Sequence, residues 1–183
     1  MAQTIQDTFR RIIRDLRVEL SDEWDKNFER QGFFTESWQR RKSPHRPGGA
    51  TLVDTGALRR SIRVTASDWS ITFSSDLPYS TIHNEGGTIR VTARMRRFFW
   101  AKYYETAERF DRKKDGTLSG NKRTRQLSSE ADFWRAMALK KVGSSITIPR
   151  RQYLGSHPVV ERIVTDIINA AIAETISYTI TPR

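Results

Sequence analysis

The sequence predicts an α+β protein: an antiparallel sheet of about four strands, packed with a long N-terminal helix and a C-terminal helix, plus an inserted helical hairpin. Three observations predict it. Apolar residues recur at steps of three and four through the first thirty positions. Short segments between 62 and 92, and again at 144–149, alternate β-branched or aromatic residues with polar ones. From 158 onward, pairs of apolar residues repeat every four positions, the period of a helix face.

The first helix is carried by Ile5, Phe9, Ile12, Ile13, Leu16, Leu20, Trp24 and Phe28, which share one stripe. Arg10, Arg14, Asp15, Arg17, Glu19, Asp22, Glu23 and Lys26 place both signs of charge on the remaining surface. At 1.5 Å per residue it is about 40–45 Å long, and Gly32 is its expected stop. Residues 37–51, basic and rich in Pro and Gly, are expected to form a loop.

"LVDTGALRRS", residues 52–61, contains the Asp-Thr-Gly triplet by which aspartic proteases present a carboxylate. That chemistry needs the Asp in a tight loop between apolar strands, so that two carboxylates face each other and share a proton. Here Asp54 follows a basic loop, and two arginines stand where buried chain is required. A helical turn explains the same residues: Asp54 or Thr55 caps it, Gly56 permits the tight geometry, Leu58 points inward, and Arg59 and Arg60 face water.

Two strands, "IRVTAS" and "WSITFSS", follow, then a turn-like or short helical "PYSTIHNEGG" and a third strand at 88–92. Met95, Phe98, Phe99, Tyr103 and Phe110 have helical spacing, so 94–110 is expected to be helix. A second helix is expected over 128–143, starting at Ser129 with Asp132 three residues on and ending at Gly143. Between them, residues 111–127 carry six basic and two acidic side chains and few apolar ones, which predicts a mobile tip. "SSITIP", 144–149, is expected to pair with 88–92 across the insertion. Pro158 suits a first helical position, and "YTITPR" is expected to add an extended tail. The domain is thus expected over 1–93 and 144–183, with the hairpin inserted at 94–143.

Composition limits the chemistry. The 183 residues are 37% hydrophobic and 29% charged, with no cysteine, so disulfides, thiolate zinc sites and cysteine nucleophiles are excluded. The N-terminal stretch is charged throughout and predicts neither a signal peptide nor a membrane span. Net charge is +11 and the pI about 10.4, which draws the chain to polyanions. His45, His83 and His157 lie far apart, and no phosphate-cradling glycine motif or serine elbow occurs. Neither a cofactor nor a catalytic or metal site is expected. Arginines interleaved with aromatics in "RVTARMRRFFWAKYY" suit nucleic-acid binding, although helical spacing favours aromatics on one face and arginines on the other.

The ordered set of short motifs resembles the phage virion morphogenesis family, the tail-completion group related to protein G of Mu-like phages. The matching positions are Leu52, Thr55, Gly56, Leu58 and Ser61, then Tyr79, His83 and Gly86, then Arg151, Tyr153, Leu154 and Gly155. The likeness covers most of 1–92 and 144–177; the departure is 94–142. It implies a non-enzymatic subunit that assembles into a homo-oligomeric ring, a hexamer, at the head–tail junction of the virion after synthesis in the bacterial host cytoplasm. Its implied partners are the head connector and neck proteins and the tail tube or terminator, without membrane contact and with passing contact to genomic DNA. Arg112, Lys113, Lys114, Lys122, Arg123 and Arg125 are expected to dock an acidic partner surface. The alternative is a nucleic-acid-binding module using 94–127. Tail completion, tail termination and a head-side stopper share this folding style, and the motifs do not separate them.

Overall fold

The computed structural model describes residues 5–41 and 49–179, with side chains through Ile176. In chain order the elements are α1 (Ile5–Arg30), β1 (Gly32–Phe33), β2 (Glu36–Ser37), α2 (Ala57–Arg60), β3 (Ile62–Ala66), β4 (Ile71–Ser75) and α3 (Ser80–Glu85). Then come β5 (Gly87–Arg90), α4 (Ala93–Glu108), α5 (Lys122–Ala138), β6 (Ser145–Ile148) and α6 (Pro158–Thr179). They form two compact units, one from residues 1–39, 50–85 and 150–183, the other from 40–49 and 86–149.

The α+β class is correct, but the four-stranded sheet is not. The strands form three separate antiparallel ribbons of two: β1–β2, β3–β4 and β5–β6. Alternation within a strand shows which side is covered and says nothing about which strand lies alongside. β5 does pair with β6 across the insertion, in the register Gly87↔Ile148 to Arg90↔Ser145. The β1–β2 ribbon was not expected. Gln31 and Phe34 adopt left-handed backbone and turn the chain, and Gly32 lies so close to Glu36 that a Cβ would sit 2.6 Å from its carbonyl oxygen.

In the first unit, α1 supplies one side of three apolar clusters. Ile12 and Leu16 meet Ala171, Val164, Ile167 and Ile168 of α6. Leu20 and Trp24 meet Phe33, Phe73, Val160 and Ile163, with the Trp24 and Phe33 rings stacked 6.0 Å apart. Phe28 closes the series against Trp38, Leu58 and Tyr153. The helices α1 and α6 therefore run antiparallel. Thr8 and Thr175 hydroxyls, 3.2 Å apart, and the Arg11–Glu174 ion pair mark their outer end.

In the second unit, α4 and α5 pack as a hairpin that buries Phe99, Thr106, Thr124, Leu127, Ala131 and Ala138. Thr92 caps α4, accepting from the Met95 N–H at 3.1 Å, and Asn121 caps α5, accepting from Thr124 N–H at 2.8 Å. The second helix starts well before Ser129, so residues 122–127 of the expected tip are its first turns. Arg, Lys and Gln are good helix formers, and burying Thr124 and Leu127 against α4 supplies the packing that composition alone did not reveal. Residues 111–119 form a hydrogen-bonded turn: Ser119 N–H donates to the Asp111 carbonyl at 2.8 Å, and Lys113 N–H to that of Thr117 at 2.8 Å. Helix α6 continues through Thr179; the rest of the expected extended tail, and residues 42–48 of the expected loop with His45, lie outside the described residues.

Because Phe28 is fully buried between two other aromatic side chains, Phe28→Ala is expected to cost about 3–5 kcal/mol. Val18, exposed on the same helix, is the comparison: Val18→Ala should stay within about 0.5 kcal/mol. Urea unfolding followed by circular dichroism checks both.

Candidate functional site

Apart from Gly86 at the boundary, the three motif segments belong to the first unit, and two of them form one hydrogen-bonded structure. Residues 150–155 run beside α3 outside any strand, so side chains supply much of what a strand partner would give their backbone. The Asn84 Oδ1 accepts from both Tyr153 N–H and Leu154 N–H, each at 3.0 Å. The Tyr153 hydroxyl donates to the Ser80 carbonyl at 3.2 Å, and Arg151 N–H to the His83 carbonyl at 2.8 Å. From the other side, Trp38 Nε1 donates to the Gln152 carbonyl at 2.7 Å and Arg151 Nε to the Gln39 carbonyl at 2.9 Å. Asn27, fully buried on α1, donates to the Tyr153 carbonyl at 3.4 Å and accepts from Phe34 N–H at 3.0 Å.

Tyr153 is only 2% exposed and joins Phe28, Trp38 and Leu58. Leu154 packs on both this cluster and that of Trp24. Gly155 has a φ of 135°, open to glycine, with the Gln152 amide folded over it. Gly86, with a φ of 76°, ends α3. Tyr79 stands half exposed at the start of that helix, its ring edge-on to His83 at 5.9 Å.

The third motif is the turn around α2. Thr55 Oγ1 accepts from Ala57 N–H at 3.3 Å, but Gly56, left-handed at a φ of 75°, holds the cap position itself. Leu58 is buried as expected, and Ser61 bonds back to the Leu58 carbonyl at 2.8 Å and to Ser75 at 2.7 Å. Leu52 also adopts left-handed backbone and packs against the Leu58 cluster. Arg59 does not face water. It grips Asp25 and, at 2.8 Å, Glu29 of α1, and the hydrogen bond to Asp25 holds that carboxyl below its usual range. Arg60 curls back to the Thr55 carbonyl at 2.8 Å. Asp54 lies exposed ahead of this turn rather than between apolar strands.

His83, a half-buried residue of α3, keeps one ring nitrogen out of the hydrogen-bond network. Its Nδ1 is buried with no hydrogen-bond partner. Burial, and then the nearby Arg151 guanidinium, hold it below the ordinary histidine pKa of 6.5. Among the described residues no group of histidines and carboxylates is placed to hold a metal. Of the motif side chains, Leu58, Ser61, Tyr153 and Leu154 are packed or hydrogen-bonded within the first unit, and a separate apolar face is formed by α1 and α6.

On that face Ile5, Phe9, Trp69, Ile172 and Ile176 surround a groove of about 410 Å3 floored by Ile12, Leu16 and Ile168. Ile5 is 75% and Trp69 68% exposed, and Phe9 and Trp69 rings meet at 4.7 Å. Of the described side chains of α6, only Ala171 is buried. The helical repeat in the sequence revealed this apolar face; Trp69, expected to open a strand, instead sits on the β3–β4 turn. Two residues that the motifs did not single out, Asn27 and Asn84, prove central. Asn27 carried a signal, a polar residue in register with Leu20 and Trp24 on the apolar stripe. The six cations assigned to docking, Arg112, Lys113, Lys114, Lys122, Arg123 and Arg125, are all exposed at the closed end of the α4–α5 hairpin. Arg123 pairs with Asp111 at 3.3 Å and Arg112 donates to the Gly116 carbonyl at 3.0 Å.

Asn84→Ala strips two part-buried N–H groups of their acceptor and should cost about 1–3 kcal/mol in urea unfolding, whereas Asn84→Asp, which keeps an acceptor, should lose less. For His83 the folded state resists protonation, so the unfolded chain binds more protons below about pH 6.5. Stability is therefore full above that pH and falls as the pH is lowered through it, with Arg151 and Tyr79 facing the ring. His83→Gln should flatten the stability profile between pH 7 and 5.

No curated protein and no solved structure matches the chain. The model of the phage virion morphogenesis family matches residues 1–173, nearly its whole length and through all three motif segments. The chain belongs to the phage virion morphogenesis family.

Proposed function

We propose that the protein is a structural subunit of the phage neck, a tail-completion protein whose copies form a closed ring that finishes the tail and receives the head connector. The observation that carries this is the uncovered face of α1 and α6. Isolated exposed apolar side chains are ordinary, but five large ones around one groove mark a surface that works covered. The family supplies the setting, virion morphogenesis. A ring built by head-to-tail contacts needs rigid, preformed sides on each copy, which the fixed helix pair provides. The exposed cations 112–125 at the closed end of the hairpin are the proposed docking point for an acidic neck partner.

Self-association should weaken at least about 30-fold in Phe9→Asp/Ile172→Asp, because each change places a charge in an apolar contact worth about 2 kcal/mol or more. Light scattering on the purified protein measures it. Phage carrying the double variant should accumulate unjoined heads and tails, and cryo-EM of intact particles should place the chain at the head–tail junction. Location elsewhere in the particle, or normal joining by the variant, overturns the reading.

A further inference from the structure

The charge of the chain is concentrated in one unit. Residues 86–149 carry 15 Lys and Arg against 6 Asp and Glu, a net +9 of the +11 total. Within this unit the open end of the hairpin is the less compensated. Arg90, Arg94, Arg97, Arg135, Lys140 and Lys141 stand there, and neither 86–104 nor 133–149 contains a single carboxylate. The fold brings these segments together: Arg90 pairs with Ser145 in the β5–β6 ladder, and Arg96 Nε donates to the Ala138 carbonyl at 2.8 Å, tying the start of α4 to the end of α5.

The dipole of α5 favours Arg135 in its last turn, but local stability does not account for the cations of α4. Arg94 and Arg97 lie at the beginning of α4, where the helix dipole disfavours positive charge, and no acidic residue shares that first turn. Among the described residues, ion pairs within 86–149 form away from this end, at Lys102 with Glu105 and Arg123 with Asp111. The expected division of α4 into an aromatic face and an arginine face holds only in part. Phe99 is buried, but Phe98 and Tyr104 are exposed on the same helix as Arg94 and Arg97, and Tyr104 stacks on Trp100 at 5.9 Å.

We infer that the open end of the α4–α5 hairpin is a binding surface for double-stranded DNA, gripping the phosphate backbone without reading sequence. Duplex DNA presents about one negative charge per 1.7 Å in any orientation, so it meets a group of cations without a matched set of partners. The core of a protein interface is depleted of charge, so an acidic protein would have to pair each of these cations, whereas at the closed end Asp111 and the Gly116 carbonyl already hold Arg123 and Arg112. Protein–DNA interfaces are far more positive than protein–protein ones. This goes beyond the neck reading and rests on a different observation, the partition of charge between the units.

The test uses the full chain and a labelled random-sequence duplex of about 30 base pairs, titrated at several salt concentrations. Affinity should fall steeply as salt rises. Arg94→Gln/Arg97→Gln/Lys141→Gln should bind roughly tenfold or more weakly at low salt, with the slope of log K against log salt reduced by about 2–3. Arg94→Lys/Arg97→Lys keeps the charge and should keep the affinity, which separates lost charge from damaged fold; circular dichroism verifies both variants. Arg17→Gln/Arg162→Gln, in the other unit, should bind as the parent does. Equal loss in that control, unchanged binding by the triple variant, or displacement of half the DNA by polyglutamate at equal charge concentration overturns the inference, the last in favour of an acidic protein. None of these outcomes bears on where the chain sits in the particle, which decides the neck reading.

Discussion

One amide oxygen fixes the segment on which the Tyr153 cluster depends. Asn84 Oδ1 receives two consecutive backbone N–H groups of a strip that has no neighbouring strand, and so performs the role a sheet partner would otherwise play. With the strip fixed there, Tyr153 enters the cluster of Phe28, Trp38 and Leu58, and Arg151 and Gln152 deliver their bonds to residues 38 and 39. Segments more than sixty residues apart thereby become one structure. The cost falls on ordered polar groups in the interior: Asn27, Asn84 and Arg151 are each held by hydrogen bonds, while His83 Nδ1 is left without one.

Much of this architecture was legible where periodicity is long. The stripe from Ile5 to Phe28 and the start of α6 at Pro158 follow from patterns that repeat several times, and the pairing of 88–92 with 144–149 from their position on either side of one insertion. The number of strands in a sheet did not follow, because two-residue alternation is satisfied equally by a ribbon of two and by a sheet of four. Nor did the first turns of α5: six cations in the segment before Ser129 suggested a chain without a core, yet Thr124 and Leu127 needed only one neighbouring helix to become buried.

The candidate surfaces were legible to different degrees. The paired isoleucines of α6 announce a helix with apolar residues on more than one side, and such a helix needs more cover than α1 alone provides. The grip of Arg59 on Asp25 and Glu29 was invisible, since a charge thirty residues away in sequence gives no local sign. The charge partition was present in the sequence throughout, but it acquired meaning only when the contacts divided the chain into units.

The hydroxyl contact between Thr8 and Thr175 has a consequence for the helix pair. Isoleucine, leucine and valine meeting the same residue types tolerate a slide of one helical turn with little penalty, since one branched side chain replaces another. Two small polar groups near one extremity do not, and together with Arg11 and Glu174 they act as a vernier that admits a single alignment. Every copy of the protein consequently presents the same spacing of ridges along this helix pair.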